Sequence, residues 1–274
     1  MATQADDESM LSGEMDDAAK DVTMVIESDN SFSGNNAVLE RMVCDATIAV
    51  NKDSDPMTMT ITYDSASCSA ARLRSGVIVV SMAKGTEWKN AGATVMVTYH
   101  DLKITRTNDK KSVLINGSHI YTNVSGKLLY QLPISGPIVH TILSSNMSIS
   151  FDNGTARTWN VSKKHTFTYD GGIVLSVSGM HTEGNVTDIA AWGMNRFNNS
   201  FTTVISTPVV VKQTCNFRIT GGVVVHTTTA YTATVTFGLD ATGAVTGCPG
   251  EGHYYYHLNC TTKKGESLSI VLPY

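Results

Sequence analysis

Met57-Thr-Met-Thr-Ile-Thr-Tyr63 alternates apolar side chains with threonine for seven residues without a break, and Tyr231-Thr-Ala-Thr-Val-Thr-Phe237 does the same. Successive side chains of an extended chain point to opposite sides, so this pattern places one face on a core and the other in water. Threonine suits the wet face because its β-branch fits a pleated backbone. Met147, Ile149 and Phe151 alternate with Ser148 and Ser150, and Ile173, Leu175 and Val177 line another half-buried face.

Further strands are expected over 46–51, 76–82, 94–100, 112–115, 118–123, 158–161, 165–169, 201–205, 209–212, 222–226, 253–258 and 268–272. Turn signals lie between them: Lys52-Asp-Ser-Asp-Pro56, Asn116-Gly117, Asp152-Asn-Gly154, Asp170-Gly-Gly172 and Lys263-Lys-Gly265. Short strands at regular spacing, with almost no helical period, predict an all-β fold. The expected architecture is an antiparallel meander forming a β-sandwich or one large twisted sheet, with a short N-terminal helix. A further short helix is expected near 137–143 or 186–192.

The two quoted strands belong to a repeat. Cys44 is followed by twelve residues, Met57–Tyr63, four residues and Cys68; Cys215 is followed by fifteen residues, Tyr231–Phe237, ten residues and Cys248. Each unit reads as a β-hairpin whose outer ends are joined by a disulfide, Cys44–Cys68 and Cys215–Cys248. A two-stranded ribbon is marginal alone, and a crosslink restricts its unfolded chain. Two such bridges imply an oxidising compartment. Cys260 remains as an odd thiol.

Charge divides the chain. Residues 1–30 hold nine acids and one base, a net −8, while the remaining 244 residues carry 19 bases and 15 acids, a net +4. Residues 1–40 therefore read as an acidic leader or tether, with a short helix near Glu8–Lys20 on the weak stripe of Met10, Leu11, Met15 and Ala18. Residues 41–274 read as a single large antiparallel β domain with a Cys–strand repeat at each end. Bases scattered among acids exclude the dense basic stripe that nucleic acid requires.

The segments Leu73–Val80, Gly92–Ile104, Val113–Val124, Thr207–Cys215 and Val235–Gly238, in this order around the cysteines, resemble a family of uncharacterised exported proteins and lipoproteins of Bacteroidota. The resemblance covers roughly residues 40–273. It implies an all-β body, an extracytoplasmic address and an N-terminal lipid anchor as the sole membrane attachment. The chain carries no lipobox cysteine, and its start reads as a mature chain with the export segment removed. It departs from the family pattern at Asp240–Gly247 and at Cys260.

The chemistry-bearing residues do not form a catalytic set. His253 and His257 have zinc-like spacing on a helix, but on a strand four residues span roughly 13 Å, so no metal or other cofactor is expected. No G-x-S-x-G elbow occurs, the Gly-Gly pairs read as turns, and no spacing singles out a pair of carboxylates. The binding candidates are aromatic: Tyr254 and Tyr256, which would share one strand face opposite Tyr255, together with Trp88 and Trp192. Such rings present a π face to the C–H groups of a sugar. The expected function is a non-enzymatic cell-envelope protein that binds a glycan or an envelope protein. The alternatives are a loop-site hydrolase acting on glycans or esters and an assembly subunit that works by β-edge addition.

Overall fold

The acidic leader forms a helix that packs into the fold rather than a tether. In the computed structural model, which describes residues 2–34, 43–65, 72–248 and 254–274, α1 spans Ala2–Ser28. Leu11, Met15, Ala18, Val22, Val25 and Ile26 are buried along it, at the three- and four-residue spacing of a helical stripe. The acids that argued for a solvated segment are answered by bases of the sheet. Arg72 Nη1 bonds Glu14 at 2.9 Å and also bonds Asp17; Arg74 Nη1 bonds Asp21 at 2.5 Å. Tyr63 donates its hydroxyl to the same Asp21 carboxylate. A second helix, α2 (Asn30–Ser33), is capped by Asp29, whose Oδ1 accepts from the Ser31 and Phe32 amides, and closes on Gly34 at φ 73°. The Phe32 carbonyl then accepts the amide of Trp88 at 2.6 Å.

Among the described residues fifteen strands hydrogen-bond in one sheet, so the all-β expectation is met in its single-sheet form. They are β1 (Ala46–Asn51), β2 (Met57–Asp64), β3 (Arg72–Met82), β4 (Ala93–Arg106), β5 (Ser112–Asn123), β6 (Ile138–Phe151), β7 (Ala156–Tyr169), β8 (Ile173–Gly179), β9 (His181–Glu183), β10 (Val186–Met194), β11 (Ser200–Lys212), β12 (Arg218–Thr228), β13 (Tyr231–Leu239), β14 (Tyr255–Thr262) and β15 (Ser267–Pro273). The ladder follows chain order apart from β8, which pairs β7 and β11, and β9, which pairs β10.

The chain divides into two compact units. The first comprises residues 1–128 and 143–159, the second 129–142 and 160–274. In the first unit Met57, Met59, Ile61 and Tyr63 of β2 are buried, and Thr58, Thr60 and Thr62 are less so, as their alternation requires. Ile78, Val80 and Met82 of β3 and Val95, Val97 and Tyr99 of β4 are buried as well. In the second unit a buried cluster of Tyr231, Ala233, Leu258 and Cys260 spans β13 and β14.

Three local expectations are corrected. Residues 186–192 are strand, in β10, and 138–143 open β6; the helix in that region is the short Leu132–Ser135, with Pro133 in its first turn. Asn116-Gly117 is not a hairpin turn, because β5 runs straight through it opposite a bulge in β4. Asp101 sits at φ 48° in that bulge; its amide donates to Asn116 Oδ1 at 2.9 Å, and Asn116 Nδ2 returns a bond to its carboxylate at 3.0 Å. The pair spends its turn-forming chemistry on a kink between two long strands.

Candidate functional site

Cys215 and Cys248 are bridged, and the crosslink sits where the hairpin of β12 and β13 leaves the sheet. The other expected bridge, Cys44–Cys68, involves Cys68, which lies outside the described residues. Just past Cys215, Asn216 and Phe217 both take left-handed conformations at φ 55°, which turns the chain into β12 and delivers Arg218 at its first position. Phe237 comes from β13, Tyr256 from β14, Tyr254 from the residue before that strand, and Tyr274 from the residue after β15.

These side chains form an aromatic patch around one guanidinium. Arg218 lies 4.7 Å from the ring centroid of Tyr254 and 5.9 Å from that of Tyr274, and it bonds the main-chain oxygen of Tyr274. The Tyr274 ring is 5.6 Å from Phe237, 5.9 Å from Tyr256 and 6.0 Å from Tyr254; Phe237 and Tyr256 are 6.1 Å apart. The Tyr254 hydroxyl donates to the Cys215 carbonyl, the Tyr274 hydroxyl to the Ile219 carbonyl, and the Tyr274 amide to the Tyr254 carbonyl at 2.7 Å. Burial pushes the Tyr274 hydroxyl up to about 12, so it donates as a neutral phenol throughout the physiological range. Tyr254 is buried, whereas Phe237, Tyr256, Tyr274 and Arg218 are half-buried.

Of the sequence-predicted aromatics, Tyr254 and Tyr256 belong to this patch. The strand opens at Tyr255, and Tyr254 turns inward under Arg218. Trp88 is fully buried in the first unit, where the Asn123 side-chain amide bonds its carbonyl; a ring without exposed surface cannot stack on a ligand, so Trp88 is corrected to a core residue. Trp192 is half-buried on β10 and stacks on His181, with centroids 4.1 Å apart and planes within 16°. The register separates it from the patch. Trp192 opposes Thr202, which opposes Thr227, then Thr232 and Thr261, whereas Tyr256 shares its face with Leu258 and Cys260. Directly opposed residues of a ladder lie on one face, so Trp192 and Tyr256 lie on opposite faces.

Arg218, Phe237 and Tyr274 were not singled out by sequence. Phe237 carried a signal, as the last apolar member of the Tyr231–Phe237 alternation; Arg218 carried none beyond its proximity to Cys215, and Tyr274 carried none.

Among the described residues no group of three His, Cys, Asp or Glu side chains is placed to hold a metal ion. His253 lies outside the described residues, and His257 bonds Ser269 at 2.7 Å. A polar depression in the first unit is lined by Asp29, Asn30, Ser31, Val50, Asn51, Lys52 and Asp53, and Asp29 is already committed to its helix cap. No helix is long and apolar enough to cross a membrane among the described residues. Comparison of the chain with protein-family models, with curated proteins and with solved structures finds no match.

Proposed function

We propose that the protein is a non-enzymatic, extracytoplasmic binding module that takes a glycan on the Tyr256–Phe237 surface. The carrying observation is the arrangement of the patch around Arg218. The guanidinium is turned inward against Tyr254 and the main-chain oxygen of Tyr274, which leaves the half-exposed rings of Tyr256 and Phe237 as the outward chemistry. Ring faces without a free charge suit the C–H face of a neutral sugar better than an acidic ligand. The Cys215–Cys248 bridge and the resemblance to exported lipoproteins of Bacteroidota support an address outside the cytoplasm.

The test is a glycan array followed by calorimetric titration of its hits. Tyr256→Ala and Phe237→Ala are expected to weaken binding at least about tenfold, since each removes a stacking ring. Trp192→Ala, on the opposite face, is expected to leave it unchanged. No glycan bound, or equal loss with Trp192→Ala, rejects the reading.

A further inference from the structure

We propose that β15 is a self-complementary edge through which two copies of this chain pair antiparallel, with Ile270 on the dyad. The inference is independent of the glycan reading. Among the described residues β15 pairs only with β14. Its main-chain groups can be assigned by alternation. Thr262 N–H bonds the Glu266 carbonyl at 2.8 Å, and Tyr274 N–H bonds the Tyr254 carbonyl at 2.7 Å, at the two ends of an uninterrupted register. An antiparallel ladder bonds alternate residues, so Leu268, Ile270 and Leu272 turn their main-chain polar groups toward β14. Ser267, Ser269, Val271 and Pro273 turn theirs to the other side, where all but proline present an N–H that β14 does not use.

The side chains follow the same alternation. Leu268, Ile270 and Leu272 oppose Cys260, Leu258 and Tyr256, so they extend the apolar face of the buried cluster on β13 and β14. Leu268 is 47% exposed and Ile270 40%. Exposed edges in soluble proteins are ordinarily blunted with lysine, inward charge, bulges or proline. β15 has no charge and no bulge, and its Pro273 stands at the last position.

The stripe reads the same from either end, Leu-x-Ile-x-Leu, which specifies the partner as a second copy. Rotation about a two-fold axis through Ile270 brings Leu268 opposite Leu272 of the partner subunit, and Ile270 opposite its own copy. Ser269 then faces Val271 of the partner subunit as a hydrogen-bonded pair, each offering an outward N–H and carbonyl. Ser267 N–H meets the carbonyl of Pro273 of the partner subunit, and the missing proline N–H ends the ladder there. Both apolar faces fall on the same side, so the contact makes one continuous apolar surface, an isologous pairing closed at two copies.

Light scattering on the intact chain, from low micromolar to near-millimolar concentration, is expected to show a mass approaching twice that of the chain. Ile270→Lys sets two like charges on the dyad, and Ser269→Pro deletes an outward N–H that β14 does not use. Both are expected to give the monomer mass at every concentration with an unchanged far-UV spectrum. In a Cys260→Ser background, Ile270→Cys is expected to crosslink under mild oxidation and Leu268→Cys to remain uncrosslinked, because only residue 270 meets its own copy. A wild-type monomer throughout, a dimer that survives both edge variants, or crosslinking by Leu268→Cys instead overturns the proposal.

Discussion

Arg74 on β3 and Asp21 on α1 form a buried ion pair, Nη1 to Oδ2 at 2.5 Å, with Asp45 gripping the other side of the same guanidinium at 2.8 and 2.6 Å. Tyr63 adds its ring, 4.3 Å from the guanidinium carbon, and its hydroxyl to Asp21. One arginine thereby ties the N-terminal helix, the segment before β1 and the face of β2 into a single polar node inside an apolar core. Burial raises the Asp21 carboxyl above its ordinary value against the pull of Arg74.

Breaking that node is expected to be costly. Arg74→Met leaves two buried carboxylates without their cation, a change worth about 3–5 kcal/mol when one partner of a buried pair is removed. Urea denaturation of the variant should show the midpoint fall accordingly. An equal midpoint would mean that the node contributes nothing net.

Acid stability is expected to depend on His140. Burial first, and the neighbouring His165 second, pull its imidazole down from 6.5 to about 3. Its ring meets Phe167 edge-on at 5.1 Å, and His165 lies 6.2 Å from the same ring. Below pH 6.5 the unfolded chain takes up a proton that the folded chain refuses, so the sign is a loss of stability as pH falls from about 6.5 toward 3. Melting temperature across that window should decline, and His140→Leu should flatten the decline. A slope unaltered in the variant assigns the proton to another group.

The Cys215–Cys248 bridge closes a loop of sequence separation 33. In the chain-entropy treatment a loop of that length stabilises by roughly 3–4 kcal/mol. The double variant Cys215→Ala/Cys248→Ala is expected to lose about that much in denaturant titration. It should also loosen Tyr254, which bonds the Cys215 carbonyl, and so change the near-ultraviolet tyrosine signal. A stable variant with an unchanged signal would show that the strands alone hold the patch.

Gly238→Ala tests the backbone beneath the patch. Gly238 sits at φ 81°, and an added Cβ would stand 2.2 Å from the Thr220 carbonyl oxygen. The conformation alone costs about 1–3 kcal/mol for a non-glycine residue, and the close approach adds to it. Thermal melting should register a destabilisation at least that large, and Phe237, the preceding residue, should be displaced from Tyr256 and Tyr274.

Much of the fold was legible in particular residues. The Met57–Tyr63 alternation appears as buried and half-buried positions along β2, and the turns at 52–56, 152–154, 170–172 and 263–265 separate the strands they were expected to separate. The Cys215–Cys248 pairing was legible because both cysteines flank one hairpin. Asn116-Gly117 misled because the pair lies opposite a bulge: Asp101, not Asn116, takes the left-handed backbone, and Asn116 spends its side chain bonding Asp101 across the ladder. The acids of α1 misled because charge density indicates solvent only when no opposite charge waits in the core; Arg72 and Arg74 lie more than fifty residues away in sequence. Two of the five patch residues, Tyr254 and Tyr256, were visible as aromatic residues, while Arg218 and Tyr274 gain meaning only from the strands that bring them together.

The sequence by itself determined the local state of most of the chain, because alternation, turn residues and cysteine spacing act through neighbours that any antiparallel ladder would supply. Tertiary structure alone decided that the acidic segment is core and not tether, that Trp192 and Tyr256 face opposite ways, and that the apolar stripe of β15 pairs, among the described residues, with β14 alone. Each of those depends on strand register and on partners distant in the chain, and a side chain's burial is set by what arrives beside it.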